Sequence, residues 1–423
     1  MSGDSGPSLT GRPAIGIVGG GQLALMVAEA AEGLGIDLQV QTPDPADPAV
    51  SHASKVVQAE LGSAAATRSL AAGCRAISFE NEWVDLEALA PLAADGVVFR
   101  PSLNALEPLV SKQRQRALLQ RLHLPCPRWW SLDQLMAPAI GVGQLSASKT
   151  PPVMGGADPE PAPSLVLPPG ATFPLMAKAA TGGYDGKGTV VINDSSALEA
   201  LVAKVDPVEW ILEEFVDFDL ELSLVACRDQ QGQLAWFPLA RTHQHQQVCD
   251  WTLAPALVDQ AVEALARNVA ASVLTSLDYV GVLSIEFFYG RGGLLVNELA
   301  PRTHNSGHYT IEACVTSQFA QQVHIVAGEA VADTTLVAPG ALMVNLLGLE
   351  QGAEQERQRR EELAALPEAH LHWYGKRDSR PWRKLGHLTV LLRDTTPEAR
   401  EREAERHLQR IRSIWPLPPT SGP

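Results

Sequence analysis

The stretch that most constrains the fold runs from Pro174 to Lys187, PLMAKAATGGYDGK, and continues through Gly188 into TVVI. Its apolar ends predict two short strands, and the glycines between them predict a β-hairpin with a glycine-rich tip. Glycines allow backbone N–H groups to converge on a phosphate, while Lys178 and Lys187 add compact positive charge. The hairpin is therefore a candidate phosphate-binding element, and a mobile surface hairpin is the alternative.

The chain has 423 residues, 45% of them hydrophobic and 19% charged, which is typical of a globular protein with roughly two to four domains. Its formal net charge is −15. Without a general basic field, binding to nucleic acid or to an anionic membrane is not expected. An anionic small molecule would have to bind at a local cluster of basic residues.

Five cysteines are scattered without a CxxC pair, at positions 74, 126, 227, 249 and 314. Their odd number and spacing favour reduced thiols in a cytoplasmic protein over a disulfide framework or a zinc site. Residues 1–12 are polar and are expected to be disordered. Because no run of 18 uncharged apolar residues occurs, neither secretion nor membrane insertion is expected.

The N-terminal part of the chain, 13–110, has the element order of a βαβ unit. Residues 14–18 predict a buried strand, Gly19 to Gly21 a tight turn, and LALMVAEAAEGLG a helix. Further strands are predicted at 37–41 and 76–80. This order predicts a Rossmann-like domain with a parallel sheet.

The sequence of the glycine turn does not identify which ligand it binds. Ala24 occupies the third glycine position of the dinucleotide fingerprint, and Asp44 is a weak candidate for the ribose-binding carboxylate, so an NAD-dependent oxidoreductase is a secondary alternative. The turn could equally hold the phosphate of a smaller ligand at a helix N-terminus. Glu80, at the end of a predicted parallel strand, is either a ligand-binding residue or a capping carboxylate.

The middle of the chain, 111–330, begins with a helix that Ser111 precedes and that carries Lys112. Residues from about 137 to 172 are rich in Pro, Gly, Ser and Ala and predict a surface insertion. Strands are predicted at 210–215, 220–227 and 233–241. Glu213 and Glu214, near the end of the first of these strands, are placed either to hydrogen-bond an adenine or ribose or simply to face water.

Two carboxylates lie on a predicted hairpin formed by GVLSIEFFY at 281–289 and LLVNELAPR at 294–302. If the turn centres on Gly292, Glu286 stands directly opposite Glu298 on otherwise apolar strands. Facing carboxylates in a half-buried sheet repel and lose hydration, which predicts a cation between them. Magnesium is the natural candidate because it prefers oxygen ligands and phosphates. A register shift of one residue would remove this prediction.

Two further segments are suited to anions. PRTHNSGH, at 301–308, is dense in hydrogen-bond donors and precedes a helix predicted near Tyr309. In the last part of the chain, 331–423, a basic cluster lies before GHLTVLL and comprises Lys376, Arg377, Arg380, Arg383 and Lys384. This cluster could bind a phosphomonoester or form a solvated loop. The segment from Thr396 predicts a solvated amphipathic helix.

The chain resembles the N5-carboxyaminoimidazole ribonucleotide synthetases of the ATP-grasp superfamily over about 15–392, in GGGQLALM, KAATGGYDGKG, EFF with NELAPR, HNSGH, and HWYGK with RPWRKLGHL. The resemblance implies an α/β and α+β architecture, in which a Rossmann-like (pre-ATP-grasp) domain at 13–110 precedes an ATP-grasp domain at 111–330 and a small C-terminal domain at 331–423. It also implies a cytoplasmic homodimer that carboxylates 5-aminoimidazole ribonucleotide in purine biosynthesis with ATP, Mg²⁺ and bicarbonate.

The resemblance implies roles for residues at matching positions. ATP is expected to contact Lys112, Lys178, Gly183, Tyr184, Asp185, Gly186, Lys187, Gly188, Glu213, Glu214, Phe215, Val216, Glu221, His243, Gln244, Asn297 and Glu298. Magnesium is expected at Glu286 and Glu298. The ribonucleotide is expected to contact Gln22, Leu23, Glu80, Tyr184, Asp185, Arg302, His304, Asn305, Ser306, Lys376, Arg383 and Lys384.

One departure concerns the strand after FPL, where the family usually has Glu-Asn-x-His. This chain has Arg-Thr-His-Gln-His at 241–245, so Gln244 stands at the position of the usual histidine. Either His243 or His245 takes over its nucleotide contact, or this edge tolerates change.

The implied mechanism activates bicarbonate by phosphoryl transfer from ATP, and the resulting carboxyphosphate yields CO2 beside the substrate amine. Asp185 is expected to take the amine proton, and Lys178 and Arg302 are the other expected catalytic residues. The alternatives are another ATP-grasp ligase, such as a formate-dependent glycinamide ribonucleotide transformylase or a biotin carboxylase, and a non-catalytic nucleotide-binding protein.

Overall fold

The structure is a computed structural model that describes residues 13–135, 165, 167–183, 188–350 and 352–419. The predicted disordered segment at 1–12 and most of the predicted insertion at 137–172 lie outside the described residues. So do four residues at the tip of the glycine-rich hairpin, namely Tyr184, Asp185, Gly186 and Lys187.

The N-terminal domain is built on a parallel sheet, as the sequence predicts. Its elements are β1 (Ala14–Val18), α1 (Gln22–Gly33), β2 (Asp37–Thr42), β3 (Lys55–Gln58), α2 (Ala64–Ala71), β4 (Ile77–Phe79), α3 (Leu86–Ala94) and α4 (Leu103–Leu106). The strand order is β3-β2-β1-β4. Strand β3 escaped prediction because it is a short, half-exposed edge strand without a buried apolar run.

The glycine turn after β1 is filled by the protein's own carboxylate. Glu80 follows β4 and accepts hydrogen bonds from the N–H groups of Gly21 at 2.7 Å, Leu23 at 3.2 Å and Ala24 at 3.4 Å. A Cβ atom at Gly19 would lie 2.4 Å from the Glu80 side chain. Burial raises the pKa of Glu80, and these N–H groups oppose that rise. Glu80 therefore stands where an anion would accept hydrogen bonds from these three N–H groups.

A small antiparallel sheet carries the glycine-rich hairpin. Its elements, with the preceding helix, are α5 (Lys112–Arg121), β5 (Trp129–Ser131), β6 (Leu175–Ala179), β7 (Thr189–Ile192), α6 (Ser195–Val202) and β8 (Trp210–Glu214), with strand order β5-β8-β6-β7. The predicted hairpin is confirmed, because Lys178 pairs with Thr189. Gly182 and Gly188 have positive φ angles of 72° and 77°, which favour glycine at both ends of the tip.

A nine-stranded sheet forms the largest part of the chain. Its strands and accompanying helices are β9 (Leu220–Arg228), β10 (Leu234–Trp236), β11 (Ala240–His245), β12 (Val248–Ala254), α7 (Gln260–Ser276), β13 (Gly281–Gly290), β14 (Gly293–Ala300), α8 (Thr310–Ala313), α9 (Gln318–Ala327), β15 (Gly340–Leu347), α10 (Ala353–Ala364), β16 (Ala369–Trp373), β17 (Lys384–Leu392) and α11 (Pro397–Ile414). Its path is β14-β13-β9-β11-β12-β15-β17-β16, and β10 pairs with β9. The sheet therefore continues across residue 330.

The prediction of a single strand at 233–241 is wrong, because the structure has two strands there, β10 and β11. The two strands are separated by Phe237, Pro238 and Leu239. Proline has no N–H to donate to the β-ladder, so it interrupts the strand at this point.

Strand alternation gives the nine-stranded sheet two different faces. On one face, Leu222, Leu224, Ile285 and Phe287 join a hydrophobic core with side chains of α5 and α7. The opposite face carries Glu221, Ser223 and Glu286, and there Ser223 contacts Ser306 and Glu286 lies near His304. Among the described residues, no helix is long and apolar enough to cross a membrane.

Replacing Glu80 with alanine is expected to lower the free energy of unfolding by about 2 kcal/mol, because buried N–H groups at the start of α1 lose a charged acceptor. Urea denaturation measures this change. Glu29→Ala is the matched control, since Glu29 is exposed on the same helix, and its effect should stay within about 0.5 kcal/mol. Equal effects of the two substitutions would contradict the capping role.

Candidate active site

The predicted pairing of two carboxylates is confirmed, since Glu286 on β13 lies directly opposite Glu298 on β14. The turn itself differs from the predicted one. Gly290 pairs with Gly293, so the loop contains only Arg291 and Gly292, and a β-bulge beyond Phe287 then shifts the register. The extra residue is Asn297, and this bulge brings the two glutamates into opposition.

The glutamate pair shares its cleft with a lysine from α5. Lys112 Nζ lies 2.8 Å from Glu298 Oε2. Burial raises the pKa of Glu298, but Lys112, together with Lys178 and Arg302, lowers the pKa overall. Burial and the neighbouring Glu298 raise the pKa of Glu286 to about 7. Near neutral pH, the site therefore holds one firmly ionised carboxylate and one that a cation would readily deprotonate.

A buried network holds Lys178, the lysine on β6 of the hairpin. Its Nζ atom lies 2.7 Å from Glu213 Oε2 and 2.9 Å from Asn297 Oδ1. The other oxygen of Glu213 accepts a hydrogen bond from Arg116 Nε at 2.6 Å. Burial lowers the pKa of Lys178, and Glu213 opposes that change. The two cations lower the pKa of Glu213 to about 2 even though burial acts in the opposite direction.

Asn297 joins the network to the glutamate pair. Its side-chain oxygen accepts from Lys178, and its Nδ2 atom donates to Glu286 Oε2 at 3.4 Å. Its backbone carbonyl accepts from Arg116 Nη2 at 2.6 Å. The structure thereby brings Lys112, Lys178, Glu286 and Glu298 together at the junction of the two sheets.

The predicted substrate loop at 302–306 closes this site from the other side. Arg302 Nε donates to Glu82 Oε2 at 2.7 Å, which ties the loop to the N-terminal domain. His304 Nε2 lies 3.5 Å from Glu286 Oε1. Ser306 Oγ bonds to Ser223 at 2.6 Å, and Asn305 exchanges amide hydrogen bonds with Asn345. Because Asn305 and Ser306 are buried, their side chains hold the loop in place, whereas His304 faces the glutamate pair.

The basic cluster of the C-terminal domain reaches the N-terminal domain through one lysine. Lys376 Nζ donates to Gln22 Oε1 at 2.7 Å and to the backbone carbonyl of Lys384 at 2.8 Å. Lys384 is close enough to lower the pKa of Glu286 electrostatically. Arg383 Nη1 lies 2.8 Å from Asp378. Gln22 and Leu23 at the start of α1 thus border the same region as the basic cluster.

The departure on β11 is explained by strand alternation. Thr242 pairs with Glu221, so Gln244 shares the face of Glu221, and its backbone N–H is close enough to act on the pKa of that carboxylate. Burial raises the pKa of Glu221 to about 7, although the charge of the nearby His243 and the N–H of Gln244 act to lower it. His243 and His245 lie on the other face, where His243 stacks on Trp251 at 5.3 Å and His245 on Trp382 at 5.6 Å.

The other residues expected to bind the nucleotide lie in different surroundings, and only some of them face the cleft. Glu214 forms an exposed ion pair with Arg128, and Phe215 is exposed at the end of β8. Both oxygens of the Glu213 side chain hold buried cations. Gly183 and Gly188 flank the hairpin tip, whose four residues 184–187 lie outside the described ones.

Sequence reasoning missed three residues of this site, namely Arg116, Glu82 and Ser223. Arg116 follows Lys112 by four residues on α5, and this spacing places both on one face of a helix. Glu82 follows Glu80 by two residues, and nothing in the local sequence marks its partner, Arg302. Ser223 lies on the same strand face as Glu221, two positions along.

Comparison with known proteins gives matches along nearly the whole chain. Family models match a ribonucleotide synthetase preATP-grasp domain at 13–108, an ATP-grasp domain at 169–319 and a phosphoribosylaminoimidazole carboxylase C-terminal domain at 341–402. The N5-carboxyaminoimidazole ribonucleotide synthase of a Synechocystis strain is 43% identical over 410 residues, which cover 95% of this chain and 97% of that protein.

Solved structures agree with these matches. The N5-carboxyaminoimidazole ribonucleotide synthetase of Thermotoga maritima has a TM-score of 0.75 at 31% identity, covering 94% of this chain and 98% of that one. The Aspergillus clavatus enzyme, solved with ADP and 5-aminoimidazole ribonucleotide, has a TM-score of 0.78 at 25% identity, covering 95% and 98%.

The fold and the lysine–glutamate site define an ATP-grasp ligase, which confirms the predicted fold class. Sequence identity over almost the full length narrows this class. The chain belongs to the N5-carboxyaminoimidazole ribonucleotide synthase family, ATP-dependent enzymes of purine biosynthesis.

Glu213→Gln is expected to lower the free energy of unfolding by about 3 to 5 kcal/mol at pH 7, because Arg116 and Lys178 lose their buried anion. The folded-state pKa of Glu213, about 2, lies below the ordinary value of 4.5. Its contribution is therefore complete above pH 4.5 and is lost as the pH falls towards 2. The difference between the wild-type protein and the variant should shrink over that pH range in urea titrations.

The neighbouring Glu214→Gln is the matched control for this experiment. Its ion pair with Arg128 is exposed, so its effect should be at most about 1 kcal/mol. A Glu213→Gln variant as stable as Glu214→Gln would show that the buried network contributes nothing to stability.

Proposed function

We propose that the chain carboxylates 5-aminoimidazole ribonucleotide to N5-carboxyaminoimidazole ribonucleotide with ATP and bicarbonate, in the cleft where the small sheet meets the nine-stranded sheet. The observation that carries the proposal is that Asn297 bridges Lys178 and Glu286 beside the opposed Glu298, in a chain of this family. The proposed domains are 13–110, 111–330 and 331–423, and the parallel sheet that ends before Lys112 supports the first boundary.

Magnesium fits the glutamate pair. Two carboxylates face each other across β13 and β14, and one has a pKa raised to about 7 by burial and by the other. Among the described residues, no group of three or more His, Cys, Asp or Glu side chains is arranged to hold a metal. A magnesium ion on Glu286 and Glu298 would thus be completed by nucleotide phosphates and water, which is its usual setting. Bound there, it would neutralise charge on the transferring phosphoryl group.

The positions of side chains in the cleft suggest which residues contact the rest of the nucleotide. Lys112 and Lys178 carry the positive charge for the phosphates, and the backbone N–H groups of the glycine-rich hairpin cover them. Glu221, on the same strand face as Gln244, is placed to accept a ribose hydroxyl. We assign the nucleotide contact of the unusual strand to Gln244, since His243 and His245 are stacked on tryptophans of the opposite face.

The ribonucleotide is proposed to bind between the loop at 302–306 and the basic cluster. Lys376, Arg383 and Lys384 supply positive charge for its phosphate, and Gln22 borders that position. His304 lies beside Glu286, and Arg302 is close enough to Glu298 to lower the pKa of that carboxylate. Asn305, Ser306 and Glu80 act by holding the loop and the glycine turn rather than by touching substrate.

Catalysis then requires three steps. ATP transfers its γ-phosphoryl group to a bicarbonate oxygen, with Lys178 stabilising the charge that develops, and carboxyphosphate and ADP are formed. Carboxyphosphate releases phosphate and CO2, and the substrate amine attacks the carbon of CO2. Asp185, on the hairpin with Tyr184, takes the proton that the amine loses. Closing the hairpin excludes water, which would otherwise hydrolyse carboxyphosphate.

Two parts of the proposal concern the whole molecule. We infer that the protein is cytoplasmic, because its five cysteines are free. We also infer a homodimer, which light scattering coupled to size-exclusion chromatography would test.

Purified protein is expected to release ADP only when ATP, bicarbonate and 5-aminoimidazole ribonucleotide are all present, because carboxyphosphate formation is productive only beside the bound amine. A coupled ADP assay in bicarbonate-replete and bicarbonate-depleted buffer measures this dependence. ADP release that is indifferent to the ribonucleotide would refute the assigned substrate, and ATP binding without any turnover would favour a non-catalytic nucleotide-binding protein.

Glu298→Gln should reduce kcat by at least about 100-fold while the protein stays folded, because the cleft loses its ionised metal ligand. Glu199→Gln, on the exposed face of α6, is the control and should retain full activity. Retained activity in Glu298→Gln would mean that the metal ligand has been misassigned.

A further inference from the structure

The register of β13 and β14 depends on a single extra residue. Near the turn, Gly290 pairs with Gly293 and Phe287 with Val296. If that register continued, Glu286 would face Asn297, and Glu298 would face Ile285, whose side chain lies in the hydrophobic core. The bulge at Asn297 turns Glu298 to the face of Glu286. The two carboxylates therefore share a site only while the bulge is in place.

Side chains of α5 hold the strand that contains this bulge. Within the described part of the chain, strand β14 is the edge of the nine-stranded sheet, so one row of its backbone groups has no neighbouring strand there. Gln115 Nε2 donates to the Leu299 carbonyl at 2.9 Å, and its Oε1 atom accepts from the Leu299 N–H at 3.0 Å. Arg116 Nη2 donates to the carbonyl of Asn297 itself at 2.6 Å. The side chains of Gln115 and Arg116 thus bond to backbone groups of the edge strand that would otherwise pair with a neighbouring strand.

Arg116 contacts residues on both sides of the cleft. Its side chain is 1% exposed, and its second contact, from Nε to Glu213, reaches the carboxylate that holds Lys178. One rigid guanidinium thus joins the bulge on the nine-stranded sheet to the lysine of the small sheet.

We propose that Arg116 is a positioning residue that fixes the bulge at Asn297, and thereby keeps Glu286 and Glu298 in the geometry that binds the metal. The inference rests on the proposed role of these two glutamates as magnesium ligands. Gln115 supports it by pinning the next residue pair of the same edge.

Arg116→Met tests the proposal, and it leaves Glu213 its contact with Lys178. The measurement is the affinity for Mn²⁺ in the presence of ADP, followed by electron paramagnetic resonance, together with the affinity for ADP in EDTA. Mn²⁺ binding should weaken by about 10-fold or more, as is typical when a residue supporting a metal ligand is lost. The affinity for ADP in EDTA should change much less.

Conservative and matched variants separate positioning from a general effect on folding. Arg116→Lys should recover part of the Mn²⁺ affinity, because an ammonium can serve one of the two partners but not both. Arg114→Met, on the exposed side of α5, should bind Mn²⁺ like the wild-type protein. A folded Arg116→Met variant with unchanged Mn²⁺ affinity would overturn the proposal. If that variant does not fold, Gln115→Met decides, since it disturbs the same edge without removing charge, and unchanged Mn²⁺ affinity there would also overturn it.

Failure of the metal assignment gives a different result. If Glu298→Gln binds Mn²⁺ as tightly as the wild-type protein, the glutamate pair is not the metal site and the role of Arg116 falls with it. If Glu298→Gln loses Mn²⁺ but Arg116→Met does not, the metal site stands and only the positioning role is refuted.

Discussion

The site depends on keeping two like charges face to face in a cleft that is only partly hydrated. Glu286 and Glu298 are cross-strand neighbours, an arrangement that costs free energy unless a cation or a proton intervenes. In the structure Lys112 neutralises Glu298, and the pKa of Glu286 is raised to about 7. The opposed carboxylates therefore favour binding of a cation between them, and the surrounding residues keep the two side chains in this position.

The same cleft is held together by a buried network that crosses from one sheet to the other. Glu213 binds Lys178 and Arg116, and both cations reach Asn297 on the opposite sheet. The same network therefore holds Lys178, the lysine proposed to bind ATP phosphates, and sets the distance between the two sheets. Unlike an exposed ion pair, such a network loses much if one member is removed.

The sequence predicted the glycine-rich hairpin, the parallel sheet and the opposition of the two glutamates, and the reasons for its failures are physical. The glutamate register was expected from a turn centred on Gly292, but the true loop is one residue shorter and the bulge at Asn297 makes up the difference. Bulges depend on contacts such as that of Arg116, which lies 181 positions away in sequence. Glu80 could be either a ligand or a cap, and only the three-dimensional positions of its N–H donors decide between them.

The most direct test of the central claim is to locate the metal itself. Crystals grown with ADP and Mn²⁺ should show an anomalous scattering peak within coordination distance of carboxylate oxygens of both Glu286 and Glu298. This result would establish that the opposed carboxylates exist to hold a cation against nucleotide phosphates. A manganese ion bound to the ADP phosphates but away from both glutamates would contradict the account.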